Sequence, residues 1–231
     1  PKLARECGGA TILAWMAVLT ILISSLIALN KDNLKARLAF STIGQLSYIV
    51  LGIAILSPLS TTGALYHLVA HAFMKITLFM CAGAIFVTTH KKNISEMVGL
   101  GRRMPITMSA FSLASLGIAG FPFFIGFVSK ANIIMGALQT GQLLFGATLI
   151  VSAILALTYL MPVVLIAFKR EPVNPEFSTY GESSKMMLVP LLITATVSVL
   201  LGVAPNFGLH LLDLAMSTGE AVFAPAGGVL C

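Results

Sequence analysis

Polar positions along this 231-residue chain fall in a few short clusters, and the apolar runs between them have the length of membrane spans. A hydrocarbon core about 30 Å thick takes roughly 20 helical residues. Thr11–Leu29 holds no charge. After the polar connector Asn30–Arg37 comes Leu38–Ser57, which carries Ser41, Thr42, Gln45, Ser47 and Tyr48. Pro58–Thr62 reads as a short turn. Gly63–Thr89 is a third span, and His90–Arg103 is a basic connector. Gly141 and Gln142 turn the chain before Leu143–Phe168, a further span with Pro162 near its end. Lys169–Lys185 is the most polar stretch and reads as a loop. Met186–Ala204 is the last long run, and Asn206–Cys231 forms a tail in which an interfacial helix is the expectation.

The stretch Met104–Thr140 between the third and fifth runs is too long for one straight crossing. Its centre, Gly120-Phe121-Pro122-Phe123-Phe124-Ile125-Gly126, combines a proline that lacks a donor with two flanking glycines, so a helix should break there. A broken helix at membrane depth survives only where protein or a wet cavity satisfies the freed backbone groups, and in transporters such breaks mark ion sites. The pattern therefore predicts an all-α polytopic membrane protein of about six transmembrane helices, one of them broken.

Composition agrees. Charged residues make up 10% of the chain and hydrophobic ones 58%, against about 25% charged in a soluble domain. The net charge of +6 comes from basic connectors and is no nucleic-acid footprint. The connectors after spans one, three and five hold ten of the fourteen Lys and Arg residues, whereas the other side holds only Lys2 and Arg5. The basic side is predicted to be cytoplasmic. Cys7, Cys81 and Cys231 are scattered, with Cys81 expected to pack inside a helix. The chain starts on Pro1 without a signal-peptide pattern and reads as part of something longer.

Two lysines lie inside spans, Lys75 and Lys130. A lysine near the bilayer centre costs at least about 2.5–3.5 kcal/mol on insertion scales, and intramembrane ionisable groups are functional by default. Burial disfavours a lysine's charged form, which brings proton exchange within reach. Lys130 sits one turn beyond the break, next to Ser129; the bland alternative is a lysine snorkelling to the interface. His67, His71 and Lys75 are spaced i, i+4, i+8, which places them within roughly 80° of one helix face over about 12 Å. Histidine titrates near neutrality, so such a ladder can relay protons. The alternatives are core histidines and a metal pair, the latter without a third ligand at matching depth. Every Asp and Glu lies outside the six spans, so a charged partner for the lysines is expected from outside this chain. Lys35, at the mouth of the second span, serves equally well as a basic anchor or as a transport residue. No nucleophilic triad or nucleotide-binding loop is present, and no cofactor is expected.

Three stretches carry a family resemblance: Asn33–Tyr48 (NLKARLAFSTIGQLSY), His67–Phe79 (HLVAHAFMKITLF) and Leu116–Lys130 (LGIAGFPFFIGFVSK). They resemble the proton-conducting antiporter-like subunits of Mrp-type sodium/proton antiporters, respiratory complex I and membrane-bound hydrogenases, and are most similar to the D-type component of the Mrp systems. The resemblance implies two inverted five-helix repeats, each with a broken helix. It places residues 11–168 as the second repeat, 186–204 as the helix after it and 205–231 as a tail, all within one membrane domain, 1–231. It further implies a proton pathway through Lys130, Lys75, His71, His67 and Lys35. Ala36 and Phe40 depart from the family's usual Arg and Tyr. The implied function is the proton-translocating part of a multisubunit monovalent cation/proton antiporter in a bacterial inner membrane. The implied partners are other membrane subunits, the first repeat of the same subunit, the lipid bilayer, protons and sodium. The alternatives are a proton-pumping subunit of complex I or a hydrogenase, which would belong to a redox-driven translocase without active-site chemistry of its own, and a non-conducting membrane scaffold.

Overall fold

The computed structural model describes residues 7–169 and 175–224, and its regular structure is helical. Lys2, Arg5, Arg170 and Cys231, all used in the sequence reading, lie outside the described residues. The main helices are α1 (Gly9–Leu29), α2 (Leu34–Ala54), α3 (Pro58–Thr89), α4 (Pro105–Ala119), α5 (Ile125–Gln139), α6 (Leu143–Lys169), α7 (Lys185–Val203) and α8 (Leu211–Phe223). Five of them, α1, α2, α3, α6 and α7, are long and apolar enough to cross a membrane. The pair α4 and α5 takes the place of the broken crossing.

Two starts differ from the sequence reading. Helix α2 begins at Leu34 instead of Leu38, because the Asn33 side chain caps it by accepting the Ala36 N–H at 3.0 Å. Lys35 and Arg37 therefore lie in the first helical turn. Arg37 folds back into the protein and donates to the carbonyls of Lys31 (2.7 Å), Tyr159 (2.9 Å) and Leu29. Helix α3 begins at Pro58 instead of Gly63, so Pro58–Thr62 is helix and not a turn. Proline at the first helical position loses no hydrogen bond and brings its φ already set. Ser60 is consequently fully buried.

Helix α3 is the hub, packed against α2, α4, α5, α7 and α8. Its contact with α5 is close because small residues sit at the crossing. A Cβ on Gly63 would stand 2.7 Å from the Ile133 nitrogen, and one on Gly136 would stand 2.5 Å from the Ser60 nitrogen. The tail helix α8 packs along the start of α3, where Gly219 meets Thr62.

The three basic connectors meet at one end of the bundle. Asn33 and Asn93 pair as an isolated bridge, and the Asp32 carboxylate accepts from the Ser95 N–H and hydroxyl at 3.1 and 2.7 Å. Arg103 donates to the Glu176 carbonyl at 2.7 Å, while its own carbonyl accepts the Gly181 N–H at 3.0 Å. At the opposite end, Gln142 donates to the Ile55 carbonyl at 3.2 Å and ties two turns together. Cys81 is buried and donates weakly to the Thr107 carbonyl, as its packing role requires.

Candidate functional site

The break gives the site its shape. Helix α4 ends in a Schellman motif: the Phe121 N–H bonds the Leu116 carbonyl at 3.0 Å and the Gly120 N–H bonds the Gly117 carbonyl at 3.0 Å, with Gly120 at φ +86°. That geometry leaves later carbonyls of α4 without helical partners. The Ile118 carbonyl is one of them, and the Lys130 ammonium donates to it. The negative end of a helix dipole thus receives the cation. A Cβ on Gly120 would stand 3.0 Å from Lys130 Cδ, so the left-handed glycine also makes room for the lysine stem. Lys130 is only 4% exposed, which excludes snorkelling within this bundle.

The other groups converge from α3 and α2. His67, His71 and Lys75 are 0%, 7% and 5% exposed, with the two imidazole centroids 6.3 Å apart. Lys75 Nζ donates to the Leu38 carbonyl at 3.2 Å. His67 Nδ1 lies 2.8 Å from Ser129 Oγ, and Ser129 donates its own hydrogen to the Gly126 carbonyl at 3.0 Å. With that hydrogen committed, Ser129 accepts from His67. This assigns the proton to Nδ1 and the lone pair to Nε2. The Tyr48 ring stacks on His67 at 5.6 Å and lies 4.8 Å beneath Lys130 Nζ. Lys130 and His67 thus meet at the same Tyr48 ring.

Hydrogen bonding inside this cluster is incomplete among the described residues. Each ammonium carries three hydrogens and finds one protein acceptor. His67 Nε2, His71 Nε2 and Gln45 Oε1 are buried acceptors or potential donors with no partner. Buried polar groups are normally satisfied by protein or by ordered water. Spare donors and spare acceptors therefore mark a buried polar core.

The structure brings Lys130, Lys75, His71 and His67 into one cluster. Lys35 stands apart: it is exposed at the mouth of α2, one turn above the carbonyl that holds Lys75, with its ammonium 4.9 Å from the Phe86 ring. Within the chain, backbone carbonyls supply the lysines' hydrogen-bond contacts. Tyr48 and Ser129 join the site without having been assigned to it from sequence. The signal was the spacing Ser41, Gln45, Tyr48, a polar stripe on one face of α2, all of it buried.

The fold and site are those of an all-helical membrane subunit with lysines and histidines buried around a broken helix. The chain belongs to the family described as NADH:quinone oxidoreductase/Mrp antiporter, TM, whose model matches residues 8–158. It is 36% identical over 202 residues to NADH-quinone oxidoreductase subunit N of Desulforudis audaxviator, covering 83% of this chain and 40% of that protein. A chain in the structure of the Mrp complex from Dietzia sp. DQ12-45-1b aligns with a TM-score of 0.83 at 25% identity, covering 92% of this chain and 48% of that one. The membrane-bound sulfane sulfur reductase, an archaeal respiratory membrane complex, contains a chain aligned at TM-score 0.83 and 26% identity, over 94% of this chain and 43% of that one. The chain thus spans less than half the length of these relatives.

Proposed function

We propose that this chain forms a proton-translocating half of an antiporter-like subunit, with protons relayed through Lys75, His71, His67 and Lys130, and Lys35 at the entry. The carrying observation is the buried cluster of unpartnered donors and acceptors between α2, α3 and α5. Two ammonium groups buried in one bundle disfavour being charged together, so uptake at one promotes release at the other. Water bridging the imidazole lone pairs would carry the proton between them. A non-conducting scaffold would gain nothing from four desolvated titratable side chains.

The reading drawn from the family motifs is antiport of a monovalent cation against protons, inside a multisubunit complex of a bacterial inner membrane. On this reading residues 11–168 are a second repeat, joined in use to a first repeat and to neighbouring subunits. A second reading, redox-driven pumping, is favoured by the 36% identity to an NADH-quinone oxidoreductase subunit. Proton flux in membrane vesicles carrying the complete complex tests the relay. Lys130→Met keeps the length and loses the proton site, and is expected to abolish flux at unchanged subunit level. Wild-type flux in that variant would overturn the relay. Flux driven by a sodium gradient assigns antiport, and flux requiring an electron donor assigns the second reading.

A further inference from the structure

We propose that the cavity between the start of α2 and the end of α3 binds the phosphate headgroup of an anionic phospholipid. The cavity holds about 320 Å³ and lies at the end of the bundle where the basic connectors meet. Lys35, Lys91 and Lys92 contribute to its lining, and Ala82, Phe86 and Met97 give it an apolar wall. Cations around an apolar floor, at the level where spanning helices give way to polar connectors, match a headgroup above its acyl chains.

The lysines there have no ion-pair partner among the described residues. The ammonium groups of Lys35 and Lys92 stand 4.9 and 5.2 Å from the centroid of the same Phe86 ring, so two like charges share one ring. No carboxylate among the described residues comes within 4.0 Å of Lys35, Lys91 or Lys92. The nearby acids are already engaged, Asp32 with Ser95 and Glu96 with the Asn93 N–H at 3.1 Å. The first turn of α2 adds a donor. Leu34 N–H bonds the Lys92 carbonyl and Ala36 N–H bonds Asn33, while Lys35 N–H has no acceptor among the described residues. A phosphate diester offsets the lysine repulsion and supplies the missing acceptor. At this depth the surrounding bilayer presents that chemistry tethered to acyl chains, for which the apolar wall is suited.

The test uses the complete complex with photoactivatable phosphatidylglycerol or phosphatidylcholine, and cross-links mapped to residues 82–97. Phosphatidylglycerol should label that segment several-fold more than phosphatidylcholine does. Lys91→Gln with Lys92→Gln should weaken the labelling roughly 10- to 30-fold, at about a factor of five per lysine. Lys91→Arg with Lys92→Arg should retain it. Competition by unlabelled lipids on the unmutated complex needs no variant and should favour phosphatidylglycerol. Equal labelling by both lipids, or full labelling of the glutamine variant, would overturn the proposal. So would displacement by millimolar inorganic phosphate, which would make the cavity a free-anion site.

Discussion

Lys130 is held by a carbonyl that is free to accept it because α4 stops at Gly120. The contact needs a donor hydrogen, and the proposed relay needs that hydrogen to be exchangeable. Lys130→Glu keeps an exchangeable proton and should retain a measurable fraction of flux, where methionine retains none; equal loss in both variants would show that the cationic form itself is required. Ser129 fixes the His67 tautomer. Ser129→Ala leaves a buried Nδ1–H without its acceptor, a defect of about 1–3 kcal/mol. We expect flux to fall several-fold at normal subunit abundance, measured in vesicles against a blot; an unchanged rate would make the Ser129 contact dispensable to the relay.

At the scale of elements, the broken helix is positioned from both sides. Glu182, in the connector before α7, accepts from the N–H groups of Ile106 and Thr107 at 2.6 and 3.2 Å and from the Thr107 hydroxyl at 2.6 Å. A carboxylate there satisfies orphan donors and sits at the positive end of α4. Glu182→Ala should cost about 1–2 kcal/mol, read as a lower thermal midpoint of the purified complex. Within the break, Phe123 adopts φ +72° against α7, where a Cβ on Gly202 would stand 2.3 Å from the Phe123 carbonyl oxygen. Gly202→Val should displace the break without altering any charge. Loss of flux with Lys130 intact is the expected outcome, and wild-type flux would show that the break tolerates movement.

For the whole molecule, hydrogen bonds join the three basic connectors at one end and the turns at Ile55 and Gln142 at the other. The orientation predicted from Lys and Arg counts then has two accessible reporters, Ser178 on the basic side and Gln139 on the far side, both exposed. Cysteine placed at Gln139 should react with an impermeant label from outside intact cells, and cysteine at Ser178 should not. The reverse pattern would invert the topology. Ser60, in the stretch expected from sequence to be a turn, cannot serve as a reporter because it is fully buried beneath α5.

The sequence by itself determined the class of fold, the number of long apolar runs, the break at Gly120–Gly126 and the two buried lysines, though not the buried Arg37. Each of these follows from local chemistry: apolar length against bilayer thickness, a missing donor at Pro122, and too few charges to face water. The i, i+4, i+8 ladder was legible because helix periodicity alone places it on one face. Tertiary structure decided how α2 is seated, with the Leu34 N–H on the Lys92 carbonyl, whereas the early starts of α2 and α3 came from local signals that hydropathy does not weigh, a side-chain cap and a proline at the first helical position. It also decided what the lysines touch. The Ile118 and Leu38 carbonyls, the Tyr48 ring and the Ser129 hydroxyl lie far along the chain from the side chains they meet, and every residue carries a carbonyl, so only the packing of α2, α3 and α5 around the break could select these.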